Sequence, residues 1–297
     1  MANQVVGLAE RIGLPFTVKR LDATPFWRRL FPGSQSARWA GLDPPWPRLL
    51  IASGRRSVRP VLAVARASGA ATFTVQIQDP RVAPSRFGLV VAPRHDGLSG
   101  PNVIATLGSM HGITPAKLAA AAAEFAPLVA DLPRPRVAVL LGGTNDGHQF
   151  GPTAARRLGV RLANLIRAAH GSLMVTGSWR TDPAALTLFV AMLAEVPHVV
   201  WDGRPPNPYL GYLGSADMVV VTADSVNMTT ESCATGKPVL VAGLPTYEPK
   251  FRRFHDGMIA AGHTRPLKGP LAPWPAVPLD ETGAVAIEIR RRLGLPG

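Results

Sequence analysis

Short apolar runs alternate with longer amphipathic stretches along most of the chain, and this alternation predicts an α/β fold. The run at 137–141 (Val-Ala-Val-Leu-Leu) contains no polar residue, which is typical of a strand buried on both faces of a parallel sheet. We therefore expect parallel sheets with right-handed crossovers. The predicted strands are residues 16–21, 48–52, 72–78, 89–92, 136–141, 172–176, 198–201, 218–222 and 238–242.

The amphipathic stretches predict helices between these strands. Two of them carry a start signal, since Thr114 precedes Pro115 and Asp182 precedes Pro183. The predicted helices are residues 57–68, 114–125, 153–169, 182–194 and 225–235. A last amphipathic helix is predicted over residues 282–293, with its apolar side chains at Val285, Ile287, Ile289 and Leu293.

A proline-rich break at residues 126–135 separates two α/β halves, because the strand pattern restarts after it. We expect one doubly wound domain over residues 1–130 and a second over residues 131–275. The segment 276–297 then carries the last helix, which we expect to cross back to the first domain.

The composition is that of a globular protein, with 46% hydrophobic and 17% charged residues. The net charge is +13, and the excess is concentrated in residues 1–135, where 16 basic and 7 acidic side chains lie. That half is the better candidate for an anionic partner. The single cysteine, Cys233, excludes an intramolecular disulfide. No apolar stretch is long enough for a membrane helix, and no secretory signal is present, so we expect a cytoplasmic protein.

Several common functional motifs are missing from the sequence. It has no phosphate loop, no G-x-G-x-x-G after a strand and no G-x-S-x-G, which argues against ATPase, dinucleotide-binding and serine-hydrolase functions. The seven histidines have no metal-ligand spacing, so we predict no metal site. No nucleic-acid-binding module is recognisable, and we expect no nucleic-acid partner.

The most informative segment is residues 216–241, in which the predicted strand 218–222 ends in a polar turn followed by a helix. The free N–H groups at such a helix start favour a phosphate. Asp224, Ser225, Asn227 and Met228 lie at this start, and Glu231 lies far enough along the helix to reach the hydroxyls of a ribose. The alternative is an ordinary strand–turn–helix unit, with 224–225 as a plain helix cap.

Two further turns follow predicted strands of the second half. Gly142 and Gly143 form a tight turn that lets a ligand approach the backbone. Ser178 and Arg180 follow the next strand, and an arginine fork is well suited to a diphosphate. The alternative for the second turn is an ordinary strand end with a surface arginine.

The order strand, polar turn, helix with an internal acid, Gly-Lys-Pro and strand resembles the donor-nucleotide half of GT-B glycosyltransferases. In those enzymes the helix start holds the diphosphate and the acid holds the ribose. The chain also resembles, over nearly its whole length, the family of the plant mitochondrial fission factor and its bacterial relatives. This resemblance rests on residues 3–4, 7–9, 78–80, 90–96, 141–143, 207–209 and 221–228.

The resemblance implies two Rossmann-like, doubly wound domains that face a cleft. It implies a metal-independent glycosyltransferase whose second domain binds a nucleotide-sugar, with no cofactor besides this donor substrate, and whose first domain receives an anionic or lipid-linked acceptor. The alternative that the family implies is a non-catalytic adaptor. Family members usually begin with a strand and a glycine loop before the Asn-Gln pair that stands here at residues 3–4. Either the start lies upstream of Met1 or the first domain lacks that strand.

A transferase of this type needs a base, because a sugar hydroxyl is a poor nucleophile until its proton is removed. Asp79, His95 and Asp96 follow predicted strands of the first half, at the edge where doubly wound sheets place ligands. His95 is the first candidate, with Asp96 either orienting it or forming part of a turn. The alternative for residues 94–97 is a polar turn that closes a strand.

A membrane contact is predicted at residues 26–32, where Phe26, Trp27 and Phe31 are interleaved with Arg28 and Arg29 before Pro32. Such a segment could lie on anionic lipid, with its arginines among the headgroups, at the inner face of a membrane. The alternative is a packed surface helix.

Overall fold

The predicted α/β class is confirmed. A computed structural model describes residues 2–20, 42–69, 71–143, 150–243 and 249–296. Contacts between residues divide the chain into two compact units. Unit 1 comprises Met1–Gly112 with Glu281–Gly297, and unit 2 comprises Ile113–Asp280. The proline-rich stretch that predicted a boundary therefore lies inside unit 2, and the observed division comes earlier in the chain.

The described residues form ten strands and ten helices. The strands are β1 (Leu49–Ser53), β2 (Phe73–Ile77), β3 (Leu89–Pro93), β4 (Val103–Thr106), β5 (Arg136–Leu141), β6 (Ser172–Gly177), β7 (His198–Val200), β8 (Met218–Thr222), β9 (Val239–Ala242) and β10 (Thr264–Pro266). The helices are α1 (Ala2–Ile12), α2 (Val58–Ala67), α3 (Pro115–Glu124), α4 (Ala126–Val129), α5 (Pro152–Ala169), α6 (Pro183–Ala191), α7 (Tyr209–Ser215), α8 (Val226–Cys233), α9 (Pro249–Ala260) and α10 (Glu281–Arg292).

Unit 1 is a four-stranded parallel sheet in the order β1-β2-β3-β4, with helices on both faces. Alternate residues of β3 point to opposite faces, as strand geometry requires. Leu89 and Val91 pack with α1 and α10, whereas Val90 and Ala92 pack with α2. The apolar run of β3 is therefore covered on both sides, as its composition predicted.

Helix α10 belongs to unit 1, although more than half the chain separates it from β4. Its first residue, Glu281, accepts hydrogen bonds from the backbone N–H groups of Leu107 (2.6 Å) and Gly108 (2.7 Å). The Thr282 hydroxyl accepts from the His111 N–H (3.0 Å). These bonds satisfy three backbone donors of the chain that follows β4, so α10 fixes the path of that segment.

The apolar face of α10 differs from the predicted one at one position. Ile287 is 70% exposed, and the buried side chains include Val285, Ala286, Ile289 and Leu293. Residues 285, 289 and 293 repeat every four positions, and 286 lies between them on the same face. Ile287 is rotated away from that face, so its assignment to the apolar side was wrong.

Unit 2 is a six-stranded parallel sheet in the order β10-β9-β8-β5-β6-β7. Helices α5 and α6 pack on one face of β5 and β6, in a core that includes Leu162, Ile166 and Phe189. Helix α3 packs against α7 so closely that a Cβ on Gly214 would lie 2.5 Å from the Leu118 carbonyl oxygen. This packing explains why α3 belongs to unit 2, although the sequence predicted it in the first domain, residues 1–130.

The sequence missed some short elements and predicted one that is not formed. Strands β4 and β10 and helices α1, α4, α7 and α9 have no counterpart among the predicted elements. The predicted strand 16–21 is not formed over residues 16–20, and residue 21 lies outside the described part. Among the described residues, no helix is both long enough and apolar enough to cross a membrane.

The substitution Glu281→Gln should destabilise the protein by about 2 kcal/mol, because it weakens two charge-assisted hydrogen bonds to backbone N–H groups. The free energy of unfolding in urea measures this. The control is Glu195→Gln, whose carboxylate is 85% exposed and pairs with Arg167 at 3.3 Å. The control should leave stability nearly unchanged. Equal losses in the two variants would contradict the docking role of Glu281.

Candidate functional site

The candidate site lies at the carboxyl ends of β5, β6 and β8. The strand order of unit 2 reverses between β5 and β8, since β5 leads to β6 on one side while β8 leads to β9 on the other. Doubly wound sheets bind ligands at such a reversal, because the connecting helices depart to opposite faces and leave a crevice. The residues predicted for the nucleotide site follow these three strands.

The Asp224 carboxylate joins the three strand ends. It accepts hydrogen bonds from the Gly143 N–H (3.0 Å), the Thr222 hydroxyl (2.6 Å) and the Arg180 Nη2 (3.0 Å). The Asp224 side chain is 0% exposed, and that of Arg180 is 28% exposed. A buried carboxylate is stable only when paired and hydrogen-bonded, and these contacts meet that need. Through these contacts Asp224 positions Gly143 and Arg180, and its predicted role toward a ligand stays a prediction.

Two threonines join the turns after β5 and β6. The Thr222 hydroxyl accepts a hydrogen bond from the Gly142 N–H (2.7 Å) while it donates to Asp224. The Thr181 hydroxyl lies 2.6 Å from the Gly142 carbonyl oxygen and accepts from the Ser178 N–H (2.8 Å). The Ser178 hydroxyl in turn accepts from the Arg180 N–H (3.2 Å). The two glycines, Ser178 and Arg180 therefore form one hydrogen-bonded unit.

Both glycines of the turn after β5 are required by close contacts. A Cβ at position 142 would lie 1.9 Å from an Asp224 carboxylate oxygen, and one at 143 would lie 2.0 Å from the Arg180 carbonyl oxygen. Real Cβ atoms never approach so closely, so any side chain here would push the buried carboxylate or the β6 turn aside. Contacts within the protein therefore already require glycine at both positions, and the predicted approach of a ligand to this turn stays a prediction.

Helix α8 begins at Ser225, whose hydroxyl accepts from the Met228 N–H (3.3 Å) as a helix cap. The alternative interpretation of this turn, a plain cap, is therefore correct for the Ser225 side chain. Asn227 is exposed and Met228 is half-buried in the first turn of the helix. Behind this turn, the buried His255 donates through Nε2 to the Ala223 carbonyl oxygen (2.8 Å).

Glu231 is half-buried and accepts a hydrogen bond from the Tyr209 hydroxyl (2.5 Å). Burial raises the pKa of Glu231, and the Tyr209 hydrogen bond opposes that rise. The pKa of Tyr209 is also raised, first by burial and then by the neighbouring carboxylate.

Tyr209 begins α7, and at the other end of this helix Lys237 Nζ donates to the Leu213 (2.6 Å) and Gly214 (2.7 Å) carbonyls. Burial lowers the pKa of Lys237 to about 8.

Some of these contacts were not anticipated from the sequence. Thr181, Thr222, Tyr209 and His255 were not singled out as site residues, although Tyr209 stands in one of the family-like segments. The place of Tyr209 in that segment was the one sequence feature that pointed to it. Nothing in the residue spacing indicates that Tyr209 contacts Glu231. His255 carries no sequence signal, because its partner is a backbone carbonyl.

In unit 1, the three predicted catalytic residues follow β2 and β3. His95 is buried, and its Nε2 lies 3.9 Å from Asp96 Oδ1. Asp79 accepts from the Arg81 N–H (2.8 Å) and pairs with the Arg81 guanidinium (3.0 Å). Carboxyl ends of neighbouring parallel strands lie at one edge of a sheet, so these residues share that edge. The aspartates differ in setting, since Asp96 neighbours a buried imidazole while Asp79 stabilises a turn.

Some of the segments discussed above lie outside the described residues. The membrane-contact segment 26–32 falls outside the described part, as do residues 144–149 after the glycine turn. Within the described residues, no group of three or more histidine, cysteine, aspartate or glutamate side chains is arranged to hold a metal ion.

Comparison with known proteins relates this geometry to a family. The model of the family described as mitochondrial fission ELM1 matches residues 1–293. Mitochondrial fission protein ELM1 of Arabidopsis thaliana is 32% identical over 278 residues, which is 84% of this chain and 65% of that protein. An uncharacterized Rickettsia prowazekii protein is 26% identical over 162 residues, which is 53% of this chain and 44% of that protein. The chain thus spans less than two thirds of these relatives.

A solved structure of similar fold is the UDP-GlcNAc 2-epimerase of Methanocaldococcus jannaschii. It matches with a TM-score of 0.51 over 83% of this chain and 77% of its own chain, at 13% sequence identity. At this identity the likeness concerns the fold alone. The GT-B-like fold class that the sequence predicted is confirmed.

The substitution Asp224→Asn should destabilise the protein by about 3 kcal/mol, the low end for a broken buried pair, because Arg180 can still be hydrated. Urea denaturation measures the loss. The control is Asp182→Asn, an exposed cap of α6 that asparagine replaces well. If Asp224→Asn were as stable as the control, the carboxylate would not be what holds the turns together.

The substitution Glu231→Gln should make stability less dependent on pH. Because the folded-state pKa of Glu231 is raised above 4.5, the folded protein loses stability as pH rises through that pKa. Glutamine does not titrate, so the variant should gain stability relative to the parent at about pH 8 but not at about pH 4. Denaturation at both pH values measures the difference, and a difference that is constant with pH would contradict the raised pKa.

Proposed function

Because the chain belongs to the mitochondrial fission ELM1 family, with a GT-B-like fold, we propose that it is a glycosyltransferase. Unit 2 binds a nucleotide-sugar, and the sugar passes to an anionic or lipid-linked acceptor without a metal ion. The observation that carries this proposal is the cluster at the carboxyl ends of β5, β6 and β8. There a partly exposed Arg180 is fixed beside a glycine turn and the start of α8.

Arg180 supplies the charge that a diphosphate requires. One guanidinium nitrogen is bound to Asp224, and this contact orients the planar group so that its other N–H donors have a fixed direction. The first turn of α8 adds backbone N–H groups and the positive end of the helix dipole. Both features stabilise the negative charge that develops on a nucleoside diphosphate as it leaves the sugar.

Glu231 supplies an acceptor for the ribose hydroxyls. It lies six residues after Ser225, along the helix whose start faces the phosphates in this proposal. Tyr209 occupies one carboxylate oxygen and leaves the other as an acceptor. The solved relative is named for UDP-GlcNAc, so uridine nucleotides are the first donors to test.

The acceptor requires a base, and His95 is the proposed one, with Asp96 3.9 Å from its Nε2. In the transfer, the acceptor hydroxyl gives its proton to the imidazole while its oxygen forms a bond to the anomeric carbon. The bond from that carbon to the diphosphate oxygen breaks, and the nucleoside diphosphate leaves with the electron pair. Asp96 then stabilises the imidazolium.

The alternative function is that of a non-catalytic adaptor. The observation in its favour is that the Asp224 and Ser225 side chains are fully engaged with protein groups. An adaptor could keep this network for stability alone. The membrane contact predicted for residues 26–32 would suit either function and remains a prediction.

Nucleotide binding is the test. We expect the parent protein to bind UDP or another nucleoside diphosphate in calorimetry, and Glu231→Gln to weaken this binding by about ten- to a hundredfold, the effect of losing one charged hydrogen bond. Arg180→Ala should weaken a nucleoside diphosphate far more than the bare nucleoside, because only the former carries the diphosphate. The control is Glu195→Gln, whose carboxylate is exposed and pairs with Arg167 at the surface.

The outcome also separates the two functions. Turnover of one nucleotide-sugar would support the transferase. Binding without turnover would favour an adaptor that retains a nucleotide pocket. Unchanged affinity in both site variants, or no binding of any nucleoside diphosphate, would refute the donor-site assignment.

A further inference from the structure

A cavity of about 590 Å³ lies in unit 2 beside helix α5, and the proposed donor site does not account for it. Its volume falls within the range of small-molecule sites. Apolar side chains make up most of its wall, and three of the four polar ones lie on α5. The apolar lining residues include Phe150, Ala154, Leu158, Val160, Ala242 and Leu267, and the polar ones are Arg157, Arg161, Asn164 and Thr222.

The two arginines of the cavity are free to bind an anion. Arg157 and Arg161 are one helical turn apart on α5, so their side chains are neighbours on one face. Both are exposed, and within the part of the chain that the structure describes neither has a carboxylate partner. By contrast, Arg167 on the same helix pairs with Glu195 at 3.3 Å. None of the described residues that line the cavity is acidic.

The walls indicate that the anion carries an apolar chain. Phe150, Leu158 and Leu267 are each less than 10% exposed and present carbon surface to the cavity, whereas Val160 is 44% exposed at its edge. Such a wall gives a free phosphate nothing to bind beyond the two arginines. Each CH₂ group moved from water onto apolar surface raises affinity about fourfold, so a chain is the part such a wall favours.

A nucleotide fits this cavity poorly. The Thr222 hydroxyl already donates to Asp224 and accepts from the Gly142 N–H. Asn164 is therefore the one uncharged polar side chain of the described lining that is not engaged in these hydrogen bonds. On the described lining, a nucleobase and a ribose would replace few of the hydrogen bonds that they lose to water.

We propose that this cavity binds an anionic single-chain amphiphile, a lipid phosphate, with its headgroup on Arg157 and Arg161 and its chain along the apolar wall. Opposite charge positions the headgroup, and burial of carbon surface supplies most of the affinity. This proposal concerns binding alone and does not rest on the transfer reaction.

The test is calorimetric titration of the intact protein with dodecyl phosphate below its micelle concentration. Two probes separate the contributions: inorganic phosphate has the charge without the chain, and dodecyl maltoside has the chain without the charge. We expect each probe to bind at least about tenfold more weakly than dodecyl phosphate. The double variant Arg157→Gln with Arg161→Gln should weaken dodecyl phosphate binding by about ten- to a hundredfold.

The matched control is Arg156→Gln, because Arg156 is exposed on the same helix but does not line the cavity. It should keep the parent affinity within about twofold. The proposal is overturned if the double variant binds dodecyl phosphate as the parent does, or if the control loses as much, which would show a general attraction to basic surface. Equal binding of inorganic phosphate would also overturn it, in favour of a plain anion site. Circular dichroism of each variant verifies that it is folded.

Discussion

The buried carboxylate of Asp224 is the constraint on which the candidate site depends. A charge with no exposure to water must be compensated where it lies, and here its partners come from the turns after β5 and β6 and from the end of β8. Each partner is a group that the sheet alone would leave loosely placed. Compensation of one charge therefore fixes three strand ends relative to one another, and no side chain fits at Gly142 or Gly143 because the carboxylate and the β6 turn occupy that space.

Hydrogen bonds between side chains also join other segments that are distant in the sequence. The Gln78 side-chain nitrogen donates to the Gln4 side-chain oxygen at 3.5 Å, so the segment 3–4 contacts the segment 78–80. Tyr209 and Glu231 join the segment 207–209 to helix α8. Polar side chains of the family-like segments therefore pair with other side chains of the protein.

The sequence predicted best what depends on local pattern. Strands β5 and β8 were recognised because uninterrupted apolar runs mark doubly covered strands, and their ends located the candidate site. Strand β4 was missed because it is short and mostly half-buried, so its pattern is weak. The pairing of Asp224 with Arg180 could not be predicted, because it depends on the order in which the strands lie in the sheet. Ile287 is a different case, because the four-residue spacing of Val285, Ile289 and Leu293 already places position 287 off their face of α10.

The net charge of +13 includes cations that are already bound to groups within the protein. Several of the cations serve backbone carbonyls: Arg136 Nε donates to Leu132 (2.9 Å), Arg290 Nη1 to Ile12 (2.7 Å) and Lys237 to the end of α7. These side chains satisfy backbone carbonyl groups and are therefore not available to bind external anions. Arg180 is different, because its pairing with Asp224 leaves it partly exposed and fixes the direction of its remaining N–H donors. The cations that count for binding are those whose neighbours are apolar and uncharged, because a charge attracts an anion most strongly where no internal partner competes.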